Sequence, residues 1–502
     1  MRIKPTTISL MLFFSLSVVA CSSSPAVDDK TPDEMAHDSH ELRFIDGEPE
    51  VEILGEDGDV TAFQVGEVNV IHMATPANEV VAARLYIDGG SRFLDEETQG
   101  MERLAMAAAT NGGTKSTPRD EFNAQLDAVG ASIGSSANRD FSAYSMRSVR
   151  EHFDQTFELF EQAIFEPAFD EEEVERRRDR QLATIESVID NPDRLVAEVA
   201  RDLMFDDHPY RFRQRGILET VEGFDRQELM DWQRQMLAPE RMLMVVVGNI
   251  DRDELVDKVS RRIGRLAPTG VELPELPPIE KEQPALRVEE ATLPTNYILG
   301  YYSAPKFGDP DYAALVLATQ HLRDRLFEEV RTRRNLTYAV SSGLGNRGTN
   351  VGVLYVTAVD PEATIPVIYD EVDRLQAHLI DEETLEQVRN VYLTRHYQDM
   401  ETNASIAGQL ARAQLIGGDW ALFGSFLEDI MAVTPEDIQR VADDYINHIQ
   451  FGALGDPALM PAEIFRVSDE DVDTVDDIDA EQIDPEQPQG DPQRPTSEDG
   501  GY

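Results

Sequence analysis

Met242-Leu-Met-Val-Val-Val-Gly248-Asn249 is an apolar run without polar alternation, and Gln450-Phe-Gly-Ala-Leu-Gly455-Asp456 is its counterpart later in the chain. A short apolar run closed by glycine reads as a strand buried on both faces. Each run follows a helix start at a similar interval: Phe224-Asp-Arg-Gln-Glu-Leu229 before the first, Val433-Thr-Pro-Glu-Asp-Ile438 before the second. Thr434, Pro435 and Glu436 supply a cap residue, a first-turn proline and an acid. Outward from these landmarks the two halves also begin alike. Val80-Val-Ala-Ala-Arg-Leu-Tyr-Ile87 leads into Gly89-Gly90, and Thr295-Asn-Tyr-Ile-Leu-Gly-Tyr-Tyr302 leads into a helix starting near Asp311. Helical stripes fill the space between, as in Leu322, Leu326 and Val330, or Phe157, Leu159, Phe160 and Ile164. The pattern predicts one unit built twice: an α+β fold of two homologous domains, each an antiparallel sheet packed against helices.

The dividing point is rich in proline. Pro274, Pro277 and Pro278 cannot sit inside a helix or central strand, so residues 267–284 read as an extended linker. The expected domains are 61–266 and 285–466. Strongly acidic segments flank them. Ser22 to Val60 carries thirteen acids against two bases, and Val467 to Tyr502 thirteen against one, nearly half of the net charge of −51. Such composition predicts disorder, giving a tether over 21–60 and a tail over 467–502. The tail reads as a solubility or salt-adaptation device, with binding of basic peptides as the alternative. The overall charge excludes nucleic acid as a partner, since phosphates need Lys or Arg to neutralise them.

Arg2 and Lys4, then the apolar run from Ile8 to Val19, then Ala20, describe a secretory signal peptide over 1–20. Val18-Val19-Ala20-Cys21 also resembles the bacterial lipobox, which implies acylation of Cys21 and a lipid anchor in the cell envelope. Ser22 in the next position resembles the pattern of outer-membrane sorting, facing the periplasm. Cys21 is the one cysteine, so disulfides are excluded. Among nine histidines only His37 and His40 have chelating spacing, and they fall in the acidic tether.

Several stretches, in order, resemble the pitrilysin/insulinase-type zinc peptidases, the inverzincins. Gly100-Met-Glu-Arg-Leu-Ala-Met-Ala107, ending in Gly112-Gly-Thr114, is similar to the helix that carries H-x-x-E-H. Leu126-Asp-Ala-Val-Gly-Ala-Ser-Ile133, Asp190-Asn-Pro-Asp-Arg-Leu195, His208-Pro-Tyr210 and Arg325 to Tyr338 match further segments. The resemblance spans essentially the whole body. In active members two histidines and a downstream glutamate hold zinc, and a glutamate beside the second histidine activates water. Here the count from Gly100 gives Arg103, Met106 and Ala107, while the count back from Gly113-Thr114 gives Leu104, Ala107 and Ala108. The downstream glutamate falls at Thr184, with Glu186 nearby but off register. Neither count supplies a metal ligand, and an arginine keeps its proton and cannot become one. The resemblance therefore implies no cofactor in this chain and zinc only in a partner.

Arg331 and Tyr338 coincide with an arginine-tyrosine pair that binds substrate in active members. A guanidinium and a phenol can donate to a peptide carbonyl and to the oxyanion that develops there. The structural alternative makes Arg331 a helix-end cation and Tyr338 a core residue alternating with Leu336 and Val340 on a strand. Two functions follow. One is the non-zinc, substrate-binding subunit of a heterodimeric peptidase, paired with a homologous H-x-x-E-H subunit and acting on peptides. The other is an inactive binding or scaffold lipoprotein. Activity of the chain alone is not expected.

Overall fold

The computed structural model describes residues 41–468 and 471–475. The first sheet contains β1 (Val51–Asp57), β2 (Val60–Val65), β3 (Val68–Ala74), β4 (Val80–Asp88), β5 (Ser132–Ala137), β6 (Phe141–Val149) and β7 (Met242–Gly248). Their spatial order is β1-β2-β3-β7-β4-β6-β5. The second contains β8 (Ala285–Glu290), β9 (Asn296–Ala304), β10 (Val340–Leu344), β11 (Asn350–Ala358), β12 (Gln450–Gly455) and β13 (Val472–Val475), in the order β13-β8-β12-β9-β11-β10. The run β3-β7-β4-β6-β5 corresponds to β8-β12-β9-β11-β10, while beyond it β2 is antiparallel to β3 and β13 parallel to β8. β7 lies between parallel β3 and antiparallel β4, and β12 lies between parallel β8 and antiparallel β9. The expected doubling is therefore real, with one refinement: each sheet is mixed, since its central strand has a parallel neighbour. Central position also explains the sequence. Every residue of β7 and β12 is buried, which leaves no solvent face to demand alternation.

Each half covers one face of its sheet with its own helices. Phe153, Phe157, Phe160 and Ile164 pack on Val81, Ala83 and Val246 in the first half. The other face is closed by a helix lent from the opposite half. Pro192–Met204 lies across β12 and β9, burying Leu195, Val196, Ala200 and Met204 against Tyr297, Leu299 and Leu454. Asn403–Leu415 lies across β4 and β7, burying Ile406, Ala407, Leu410 and Ala411 against Tyr86, Leu243 and Val245. Both helices start on side-chain caps, Asn191 accepting from the Arg194 amide and Thr402 from the Ser405 amide. Burial opposes ionisation of Glu198 on the first of them. The guanidiniums of Arg201, Arg213 and Arg215, at 2.6, 2.9 and 2.7 Å, nonetheless hold its carboxyl well below the usual range.

A buried polar junction adds to this exchange. The Tyr210 hydroxyl donates to Asp140, whose Oδ1 also accepts from the Gly348 amide at 3.0 Å. His208 Nε2 sits 3.1 Å from the Pro277 carbonyl oxygen, and burial pushes its imidazole down to about 4, so it is neutral at pH 7. The stretch 267–284 that crosses here carries neither helix nor strand.

The edges of the body depart from expectation. The boundary at residues 60 and 61 falls inside the β1–β2 hairpin, and Phe44 already bridges to Leu266. Residues 42–60 are thus part of the first half, not of a tether. Glu52, Glu56 and Asp57 are tolerated because β1 is an outer strand and leaves them in water. Likewise Val467 is buried and Val472–Val475 pairs with β8, so the second half runs past residue 466. Cys21, His37 and His40 lie outside the described residues. Among the described residues no helix is long and apolar enough to cross a membrane.

Candidate functional site

The helix Met101–Asn111 starts after Gly100 in the left-handed region, φ 93°, and runs unbroken. Leu104, Ala105, Ala108 and Ala109 point into a core shared with Phe169, Val174, Val221 and Leu229. Arg103 and Ala107, one turn apart, stay half-buried. The two counts made on the sequence now part. The count back from Gly113 would put its outer positions, Leu104 and Ala108, into the core. The count from Gly100 puts Arg103 and Ala107 on the partly open face. Beyond the helix Gly113 has φ 76°, a left-handed turn that glycine adopts without strain.

Neither zinc nor a similar ion fits this face. Arg103 carries a fixed positive charge, Ala107 has no donor, and Met106 is buried. Thr184 turns its hydroxyl back onto the Arg180 carbonyl at 2.9 Å, and Glu186 is exposed. The one acid of the helix, Glu102, is 2% exposed and faces inward, its carboxyl pushed up by burial. Among the described residues no three His, Cys, Asp or Glu side chains gather as a metal would need.

Beside this helix the first sheet ends at β5. Its Ser135 hydroxyl lies 3.2 Å from that of Thr110, and β5 hydrogen-bonds only to β6. An outer strand of small residues offers free amides and carbonyls to an extended peptide. Its sequence, Ser132-Ile-Gly-Ser-Ser-Ala137, has too little hydrophobic pattern to mark it in advance.

The second half repeats the arrangement with different chemistry. Helix Tyr312–Leu326 lies on β10, the outer strand there, and continues as a π-helical turn over Phe327–Arg333. Such wide turns break regular side-chain spacing and often occur at functional sites. Arg325, Arg333 and Arg334 converge on Glu329 at 2.9, 2.8 and 2.5 Å. These contacts, Arg334 foremost, hold the Glu329 carboxyl below its usual range. Arg331 stands apart. Its side chain makes no hydrogen bond or ion pair among the described residues. Its guanidinium lies 4.9 Å from the Phe327 ring centre and 5.1 Å from that of Tyr338.

Tyr338 is not the core residue of the structural alternative. It precedes β10 in an irregular segment and is 64% exposed, with a hydroxyl that has no partner among the described residues. The neighbour turns inward instead: the Thr337 hydroxyl donates to the carbonyls of Ala339 and Thr357. The chain therefore brings Arg331 and Tyr338 together with their side-chain donors unspent among the described residues. Phe327, four residues before Arg331 and largely exposed, completes the stack. The sequence reading missed it because it lies off the Leu322-Leu326-Val330 stripe.

Residues 69–211 match the family described as Insulinase (Peptidase family M16), and residues 223–392 match the Peptidase M16 inactive domain. The chain belongs to peptidase family M16. An uncharacterized zinc protease of Rickettsia bellii is 23% identical over 370 residues, which is 72% of the M16 chain and 85% of that protein. The crystal structure of a peptidase M16 inactive domain from Pseudomonas fluorescens has a TM-score of 0.72 at 20% identity, covering 79% of this chain and 98% of its own. The periplasmic protease PqqL from Escherichia coli has a TM-score of 0.70 at 16% identity, covering 82% and 47%. At these identities the two structures establish the shared fold. The zinc motif of the family would fall in the first half, where this M16 chain carries Arg103, Met106 and Ala107.

Proposed function

We propose that this M16 chain is the non-zinc-binding, substrate-binding subunit of an extracytoplasmic zinc-dependent peptidase complex acting on peptides or unfolded proteins. The observation that carries the reading is the Phe327–Arg331–Tyr338 stack. Phe327 and Tyr338 are exposed and Arg331 is half-buried, the three are held by aromatic contact, and the side-chain donors of Arg331 and Tyr338 have no acceptor among the described residues. Held this way, a guanidinium and a phenol are positioned to hydrogen-bond a peptide carbonyl and the charge that develops on it. Metal-bound water would come from a homologous partner with an intact H-x-x-E-H, since no residue of the Arg103 face can supply it. The open edge of β5 would hold an extended substrate by backbone pairing.

The isolated chain is expected to bind no stoichiometric zinc and to cleave no peptide, whereas the complex with its partner does both. Metal analysis of tag-free protein, with a peptide-cleavage assay run before and after adding the partner, decides the matter. One tightly held zinc per isolated chain would overturn the reading. Assembly without any gain of proteolysis over the partner alone would leave an inactive scaffold.

The envelope location rests on Val18-Val19-Ala20-Cys21 and on the likeness to a protein described as periplasmic. Cys21 is taken as the acylated residue of an outer-membrane lipoprotein facing the periplasm. Cys21→Ser should shift the chain from the membrane to the soluble fraction and abolish labelling by radioactive palmitate. Labelling that persists in the variant rules the anchor out.

A further inference from the structure

The first sheet ends on its other side at β1, and that edge is open. Among the described residues β1 hydrogen-bonds only to β2, which leaves the backbone donors and acceptors of its outer side free. Three apolar side chains are exposed along it, Val51 at 42%, Ile53 at 48% and Leu54 at 51%. The strand is nonetheless fixed in place. The Trp420 ring of the second half packs on Gly55, where a Cβ would come 2.9 Å from its Cζ2, and Arg252 pairs with Glu56 at 3.0 Å. A fixed, open edge carrying exposed apolar side chains is the receiving half of a β-strand addition.

Charge decides which strand fits. Residues 44–60 contain seven acids and no base. Glu48, Glu50 and Glu52 are exposed, and their side chains make no ion pair or hydrogen bond among the described residues. A second copy would bring like charges opposite one another along the ladder, which destabilises cross-strand pairs. The bulge at Leu54, between Ile53 and Gly55, also works against flat self-pairing. The chain's own flanks carry the same sign: residues 22–40 hold five acids against one base, and residues 476–502 nine against one. A strand of opposite sign meets none of these obstacles.

We infer that β1 takes up an extended, basic segment of a partner protein, which adds an eighth strand to the seven of the first sheet. Apolar side chains of that segment lie against Val51, Ile53 and Leu54, and its Lys or Arg side chains pair with the acids between them, Glu52 foremost. Backbone pairing supplies affinity whatever the sequence, and the alternation of apolar and basic side chains supplies selection. Neither the Arg103 face nor the Phe327–Arg331–Tyr338 stack is involved, so this surface is independent of the peptidase reading.

Fluorescence anisotropy of a dye-labelled peptide, Lys-Val-Lys-Ile-Lys-Val-Lys, titrated with the full mature chain tests the surface. An ionic strength of about 0.15 M screens long-range attraction to so acidic a chain. One saturable site per chain is expected. The same peptide methylated on every backbone nitrogen keeps its charge and side chains but cannot pair, and should bind more weakly by about tenfold or more. Glu52→Lys turns an opposite charge into a like one and should weaken the unmethylated peptide by about tenfold. Leu54→Ser keeps the charge and should weaken it by about threefold. Glu386→Lys makes the same charge change at an exposed position of the other half and should leave binding as it is. Absence of a saturable site, equal binding of the methylated peptide, or equal loss in Glu52→Lys and Glu386→Lys overturns the proposal. Self-association of the chain alone that Glu52→Lys abolishes would give the edge to a second copy and overturn it as well.

Discussion

Tyr338→Phe and Arg331→Ala are each expected to lower turnover of the reconstituted complex by about 10²-fold or more, the usual effect of removing one placed donor to a developing oxyanion. The geometry makes this an unusually clean comparison. The Tyr338 hydroxyl makes no hydrogen bond among the described residues, so its removal should leave the melting temperature unchanged. Arg331→Ala gives up the cation–π contacts with Phe327 and Tyr338, worth roughly 0.5–2 kcal/mol at a half-buried site. Arg333→Ala serves as the control. It removes a guanidinium two residues away that is spent on Glu328 and Glu329, and turnover should not change. Turnover should be measured beside zinc content and melting temperature of the same preparations. Both variants turning over like the parent would end the substrate-binding reading. A loss of zinc or of assembly would mean that the pair acts through structure.

How far the sequence revealed this depends on where each residue lies. The repeat was legible because β7 and β12 are central strands. Buried on both faces, they must be uninterrupted apolar runs whatever surrounds them. The loss of metal ligands was legible for a different reason. Whether arginine, methionine or alanine can coordinate zinc is decided by the side chain alone and needs no geometry. Outer strands were not legible. β1 pairs on one side only and keeps its acids in water, so its composition resembles that of an unfolded segment although its backbone pairs with β2 along its length, with one irregularity at Leu54. The structural alternative for Tyr338 misled through coincidence: Leu336, Tyr338 and Val340 alternate as a strand would, but the strand starts at Val340 and Thr337 turns inward instead, leaving the tyrosine exposed. The lent helices could not be foreseen either. The pattern of Pro192–Met204 specifies which side chains are buried, and says nothing about which sheet receives them.

That exchange of helices gives the other large expected effect. Gly452 lies in the middle of β12, directly under helix Pro192–Met204. A Cβ placed there would come 2.4 Å from the Ala200 amide nitrogen, 2.7 Å from its Cα and 2.9 Å from its Cβ. Two of these three contacts are to helix backbone, which cannot rotate aside as a side-chain tip can. Gly452→Ala must therefore lift the helix off the second sheet and loosen Leu195, Val196 and Met204 from Tyr297, Leu299 and Leu454. Overpacking of this kind costs about 1–3 kcal/mol where the surroundings can shift, and a rigid crossing places the loss at the upper end or beyond it. Gly408 provides the matched contrast on the reciprocal helix Asn403–Leu415. Its added Cβ would meet only the Arg84 Nη1 at 3.5 Å, an ordinary contact. Alanine there should stabilise by roughly 0.5–1 kcal/mol through helix propensity. Ala200→Gly should not rescue Gly452→Ala, because the nitrogen and Cα remain in place when the methyl is gone. Denaturant unfolding of the two single variants and the double variant checks all three expectations. A Gly452→Ala protein as stable as its parent would mean that the helix does not cross β12 at this distance.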